Sequence, residues 1–157
     1  ISGGSSVGTR DFTLDVLAGL QDAKVLVHGI SISPGKPTIL AKVKNKALWG
    51  LPGHVVSAMI VFSRVVHPFV EHIRGQSGKA NQALRLPARL SRNVASKQGR
   101  VDFIRVRLRR DGRQLWADPV LGKSGLISTM VNANGLIQID INTEGLNKGD
   151  VVEVIPM

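Results

Sequence analysis

Ala47-Leu48-Trp49-Gly50-Leu51-Pro52-Gly53-His54-Val55-Val56-Ser57-Ala58 runs from an apolar strand, through a proline–glycine turn, into the start of a helix. Pro52 stops the strand and Gly53 permits the turn. The apolar run that follows continues to about Ile73 and is ended near Gly75. Upstream, Thr38–Val43 and Ala47–Leu51 read as two strands joined by a tight Lys44-Asn45-Lys46 turn. Before them, Lys24 to Ile32 is β-rich and stops at Pro34. Residues 10–20 place Phe12, Val16, Leu17 and Leu20 at helical spacing. Strands alternating with helices predict an α/β unit with crossover connections.

The Leu51-Pro52-Gly53-His54 turn has two counterparts, Gly3-Gly4-Ser5-Ser6-Val7-Gly8 and Ser33-Pro34-Gly35-Lys36-Pro37. Each supplies backbone N–H groups unobstructed by bulky side chains, and the first and third lead toward helices. Free N–H donors at the positive end of a helix are the usual protein answer to phosphate and other oxyanions. Three such loops, with a lysine in the middle one, predict an anionic ligand.

The chain has 157 residues, 43% apolar and 20% charged, as in a folded domain rather than a disordered chain. It has no cysteine, which excludes a disulfide framework and thiolate chemistry and makes a reducing cytoplasm the default compartment. No apolar stretch is expected to reach the roughly 18 to 20 residues that span a bilayer, and no membrane partner is expected. Ile1-Ser2-Gly3-Gly4 reads as the last residue of a buried strand entering a loop, so a piece of a longer protein is expected.

The net charge of +10 is uneven. Residues 1–76 carry eight Lys/Arg against four Asp/Glu, and Arg85 to Arg113 carry ten against Asp102 and Asp111. From Gln114 to the end there are two against five. Such a basic block fits an anionic substrate or a nucleic acid, and equally the wet face of alternating strands. With four Phe, two Trp and no Tyr there is little for base stacking, which weighs against a nucleic-acid-binding β module. A non-catalytic scaffold that binds a partner protein is the remaining alternative.

Small polar residues around Gly75-Gln76-Ser77-Gly78-Lys79 mark a linker, giving units at 1–76 and 77–157. Beyond it, Leu84–Leu90, Arg100–Arg109, Gln114–Pro119, Gly135–Ile141 and Asp150–Ile155 are short strand candidates. From Phe103 to Arg109 apolar and charged residues largely alternate, so one face is buried and one wet. A small all-β barrel or sandwich follows.

Ser2-Gly3-Gly4-Ser5-Ser6-Val7-Gly8-Thr9-Arg10-Asp11-Phe12 resembles the S-G-G-x-S-x-G-x-x-D-[YF] stretch of the molybdopterin molybdenumtransferases, the MoeA and gephyrin E-domain family. Pro34-Gly35-Lys36-Pro37 resembles its K-P-G-K-P loop, and Gly50 to Ala58 its G-L-P-G-N-P-V-S-A loop. Gly99 to Arg105 is similar to its G-R-x-[DE]-[FY]-x-R strand, and Ser124 to Ser128 to its serine turn; the tail, Ile139 to Val154, is also similar. The resemblance implies part of a three-layer α/β molybdopterin-binding domain followed by a β-barrel domain. It also implies insertion of molybdate into adenylylated molybdopterin with release of AMP, a divalent metal (usually Mg²⁺), and a cytoplasmic homodimer. In the dimer the cleft would lie between the α/β domain of one subunit and the barrel of the other.

What the resemblance implies for individual residues is as follows. Asp11 would handle metal or substrate, where its plain reading is a carboxylate at a helix start. Lys36 would contact molybdate or the dithiolene/phosphate end of the ligand directly. Gly3, Gly4, Ser6 and Gly8 would bind substrate in the first loop, Pro34, Gly35 and Pro37 in the second, and Pro52, Gly53, His54 and Ser57 in the third. Arg100, Arg105 and Ser124 would complete the anion site from the barrel. Ser33, where many members carry lysine, and Val55, which replaces the second proline, depart from the pattern. His28, His67 and His72 lack metal-ligand spacing and receive no role. Pro68, inside the long helix, predicts a kink.

Overall fold

The computed structural model describes residues 1–3, 12–76 and 84–157. The hairpin at its first sheet forms where the Lys44-Asn45-Lys46 turn predicts it: β3 (Ile39–Val43) pairs antiparallel with β4 (Lys46–Gly50), and Lys44 turns between them at φ +54°. On the other side of β3 lies β1 (Ala23–His28), again antiparallel, giving the order β1-β3-β4. The expected continuous strand from Lys24 to Ile32 is broken at Gly29, whose φ of +83° turns the chain out of the sheet. It resumes as the two-residue β2, Ile32–Ser33. The described sheet is therefore antiparallel. A parallel bridge joins Ser2 to Leu51, next to β4.

Ile1 is expected to be a buried strand residue. It does lie beside Leu51, whose N–H donates to the Ile1 carbonyl at 2.8 Å, but its side chain is exposed. Helix α1 (Thr13–Ala18) is shorter than its spacing suggests. Leu17 is buried against Ile39 and Ala41, whereas Phe12, Val16 and Leu20 remain exposed. The stripe fails because only the Thr13 and Leu17 side of the helix meets the sheet.

The long helix is present as three segments, α2 (Val55–Val61), a π turn (Phe62–Val66) and α3 (His67–Ile73). The π turn sits where the Pro68 ring would collide with the carbonyl four residues back, so the expected kink is taken up by one widened turn. Contrary to the expectation from composition, this 19-residue stretch is long and apolar enough to cross a membrane. Its first half packs in the core, where Val56 and Ile60, fully buried, meet Phe103 and Leu136 of the second half of the chain, while α3 buries no residue. At its far end Phe69 meets the Trp49 ring edge-on, with centroids 5.4 Å apart.

The second half closes as expected. β5 (Leu86–Leu90), β7 (Val101–Asp111), β8 (Gln114–Pro119), β9 (Gly135–Ile139) and β11 (Val151–Pro156) form a five-stranded barrel in the order β7-β8-β5-β11-β9, and β9 pairs back on β7. Alternation drives it: Val152 and Val154 point into a core with Leu90, Val106, Ala117, Ile137 and Ile139, while Val151 and Glu153 face out. Gly135 is required at the β9–β11 crossing, because a Cβ there would run into Val154. Two short strands, β6 (Val94–Ala95) and β10 (Gly145–Leu146), and helix α4 (Ser128–Val131) complete this half.

The joint between the halves positions the site. β2 adds to the barrel sheet in parallel, with Ile32 opposite Val101 and Ser33 opposite Asp102.

Candidate functional site

The Ser33–Pro37 loop starts directly from β2, so pairing with β7 places it beside the barrel. Its shape is set internally. The Thr38 hydroxyl, buried, donates to the Gly35 carbonyl at 2.7 Å, and the N–H groups of Ile30 and Thr38 both donate to the Lys36 carbonyl at 2.9 Å. Gly35 has φ +130°, and a Cβ would lie 2.6 Å from Val61 Cγ2 and 2.8 Å from Ile32 Cδ1. No other residue fits that position without displacing the helix beneath it. With Gly35 wedged there, Lys36 is turned outward and exposed.

The Pro52-Gly53-His54 turn faces this loop across a cavity of about 900 Å³. Ser57, one turn into the helix, is buried in its wall. The third wall comes from the barrel: Lys97, Gln98, Gly99 and Arg100 ahead of and entering β7, and Ser124 from the turn before α4. Ser124 is held twice, by 2.9 Å between its Oγ and His54 Nδ1, and by its carbonyl accepting from Val56 N–H at 3.3 Å. Both halves of one chain thus line a single cavity.

The charge of this cavity is one-sided. Lys36, Lys97 and Arg100 line it, and no carboxylate does so among the described residues. Lys36 and Lys97 form no ion pair among the described residues. The N–H groups of Gly35, Lys36, Gly53 and His54 likewise find no backbone acceptor there. Unpaired ammonium groups, hydroxyls and bare N–H donors around one space form a site for an oxyanion.

A smaller cavity of about 300 Å³ adjoins it, sharing Ser33, Pro34, Arg100 and Ser124 with the first and reaching Arg105. Arg105 is 8% exposed, not the surface arginine that alternation alone would give. Its Nη1 donates to Thr129 Oγ1 and its Nη2 to the Gly122 carbonyl, both at 2.9 Å, while its buried Nε has no partner. Burial pulls its pKa below the usual arginine value. Arg105 therefore faces the neighbouring cavity and pins the turn that carries Ser124.

Of the residues singled out from sequence, the main cavity gathers Pro34, Gly35, Lys36, Pro37, Pro52, Gly53, His54, Ser57, Arg100 and Ser124. Gly3 lies behind the third turn, its Cα 3.6 Å from where a Gly53 Cβ would stand. Gly4, Ser6, Gly8 and Asp11 fall outside the described residues. His28, given no role from sequence, lines the cavity as well. Lys97 was missed because nothing in its spacing distinguishes it from a solvated lysine.

A divalent cation finds no ligand set here: among the described residues no three His, Asp or Glu side chains gather to hold one. Asp11, the carboxylate assigned to it from sequence, lies outside the described residues.

Residues 1–72 match the family model described as "Probable molybdopterin binding domain", and residues 87–157 match "MoeA C-terminal region (domain IV)". A crystal structure of the molybdopterin biosynthesis MoeA protein from Pyrococcus horikoshii superposes with a TM-score of 0.78 at 36% identity, covering 99% of this chain and 36% of that one. The molybdopterin molybdenumtransferase of Haemophilus influenzae is 31% identical over 157 residues, covering 99% of this chain and 38% of the relative. The molybdenum cofactor synthesis protein cinnamon of Drosophila melanogaster is 31% identical over 155 residues, 99% of this chain and 23% of that protein. The chain thus spans roughly a quarter to two-fifths of the length of these proteins.

Proposed function

Because this chain belongs to the MoeA family of molybdenum cofactor biosynthesis proteins, we propose that its cationic cavity holds the anions of a molybdenumtransferase reaction. That reaction is insertion of molybdate into adenylylated molybdopterin, with release of AMP. Residues 1–76 are assigned to the molybdopterin-binding unit and 77–157 to the barrel that completes the site.

One observation carries the reading: three cations and no carboxylate line a cavity large enough for a nucleotide-sized ligand, among the described residues. Lys36 and Arg100, one from each half, would take the charge of a tetrahedral oxyanion. Ser57 and Ser124 would donate to its oxygens, and the N–H groups of the Gly35 and Gly53 turns would do the same for a phosphate. Charge-assisted bonds to a preorganised set of donors favour an anionic transition state over water's moving dipoles. No step is assigned to Mg²⁺.

We assign the protein to the cytoplasm and to a homodimer. The chain by itself is expected to bind the anions without completing the transfer. The test is calorimetric titration of molybdate and of AMP into this chain. Saturable binding that weakens with added salt supports the reading, and no binding of either ligand contradicts it. Molybdate insertion by the chain alone would contradict its assignment as inactive.

A further inference from the structure

Asp102 stands where electrostatics would not put it. It is 3% exposed, lies in the wall between the two cavities, and brings a negative charge next to a space built for anions. Its partners come from three pieces of that wall. Ser96 Oγ donates at 2.7 Å, and Arg100 Nη2 donates to the same oxygen at 3.2 Å. Arg100 Nε lies 2.9 Å from the other oxygen, so the two side chains form an ion pair. Ser33, opposite Asp102 in the β2–β7 register, has its hydroxyl near enough to help lower the Asp102 pKa. Ser33 roots the Lys36 loop, and Ser96 precedes Lys97.

We propose that Asp102 is the positioning residue of the anion cavity: it aims the Arg100 guanidinium into the space and ties the Ser33–Pro37 loop and the Ser96–Gly99 turn around it. The inference rests on the reading of the cavity as an anion site. A flexible arginine on a strand end loses rotamer freedom when it binds, and a buried carboxylate that has already fixed it removes that cost.

The test separates positioning from charge. Molybdate is titrated into the chain and into Asp102→Asn, Arg100→Ala and the double variant, with the folded fraction checked by thermal melting. If Asp102 acts only as a charge, Asp102→Asn removes a repulsion and binds more tightly. If it positions Arg100, Asp102→Asn binds about tenfold more weakly, the worth of one charge-assisted bond. That loss should vanish when Arg100 is already alanine.

Equal or tighter binding by Asp102→Asn overturns the proposal, as does a loss that persists undiminished in the Arg100→Ala background. Should Asp102→Asn fail to fold, Ser96→Ala is the second probe, because Ser96 lies outside both cavity linings. It is expected to weaken binding measurably while the chain remains folded, and unchanged binding contradicts the proposal. Absence of binding by the unaltered chain would overturn the anion-site reading itself.

Discussion

Ser124 Oγ lies 2.9 Å from Nδ1 of His54, seventy positions away in the chain, and this contact closes the cavity across the joint between the two halves. The Ser124 carbonyl also accepts from Val56 N–H, so the serine turn of the barrel sits on the first turn of the long helix. The arrangement depends on the packing below it, where Val56 and Ile60 meet Phe103 and Leu136.

Ser124→Ala removes a hydroxyl from the cavity but leaves the carbonyl contact. Stability should fall by only about 1 kcal/mol, the worth of one neutral hydrogen bond. Molybdate affinity should fall several-fold, read by calorimetry on the same preparation.

Lys36 is exposed and makes no ion pair among the described residues, so Lys36→Ala should leave the melting temperature unchanged. Molybdate affinity should fall about tenfold, and the dependence of affinity on salt should become shallower as one cation is lost. An unaltered affinity would remove Lys36 from the site.

Gly35→Ala tests the wedge behind Lys36. Its Cβ would press on Val61 and Ile32, and φ +130° strains any side chain. A destabilisation of about 2–4 kcal/mol is expected in chemical denaturation.

The second and third loops were legible in sequence because glycine and proline at strand ends have few uses, and the barrel because its strands largely alternate; the first loop, beyond Gly3, lies outside the described residues. The α1 stripe was misread. Periodicity reports which residues share a face, not whether anything covers it, and Phe12 and Val16 are left exposed. The break at Gly29 needed its positive φ, which composition does not encode. Lys97 and His28 joined the cavity through the β2–β7 pairing, a contact between segments some seventy residues apart that no local pattern announces.

Arg105→Ala should be costly, because it removes both bonds that hold Thr129 and Gly122 and leaves the buried Thr129 hydroxyl without its donor. A loss of about 2–4 kcal/mol is expected by denaturant titration. Molybdate affinity should fall with it, as the Ser124 turn loosens.

The Asp102 carboxyl has a sign that can be checked. Burial alone would raise its pKa, but hydrogen bonds from Ser96 and Arg100, with the nearby Ser33 hydroxyl and the Arg100 charge, outweigh burial and lower it. A carboxyl held lower in the folded state contributes stability above its unfolded pKa of about 3.9, and the contribution is lost as pH falls through the folded value. The stability difference between the chain and Asp102→Asn should therefore be constant from neutral pH to about 5, and shrink below about 4.

The most direct test of the account is the location of molybdate itself. Crystals of the chain soaked in molybdate and measured at the molybdenum absorption edge should show an anomalous peak within contact of Lys36 and Arg100, bounded by Ser57 and Ser124. A peak elsewhere, or none in this cavity at saturating molybdate, would contradict the account.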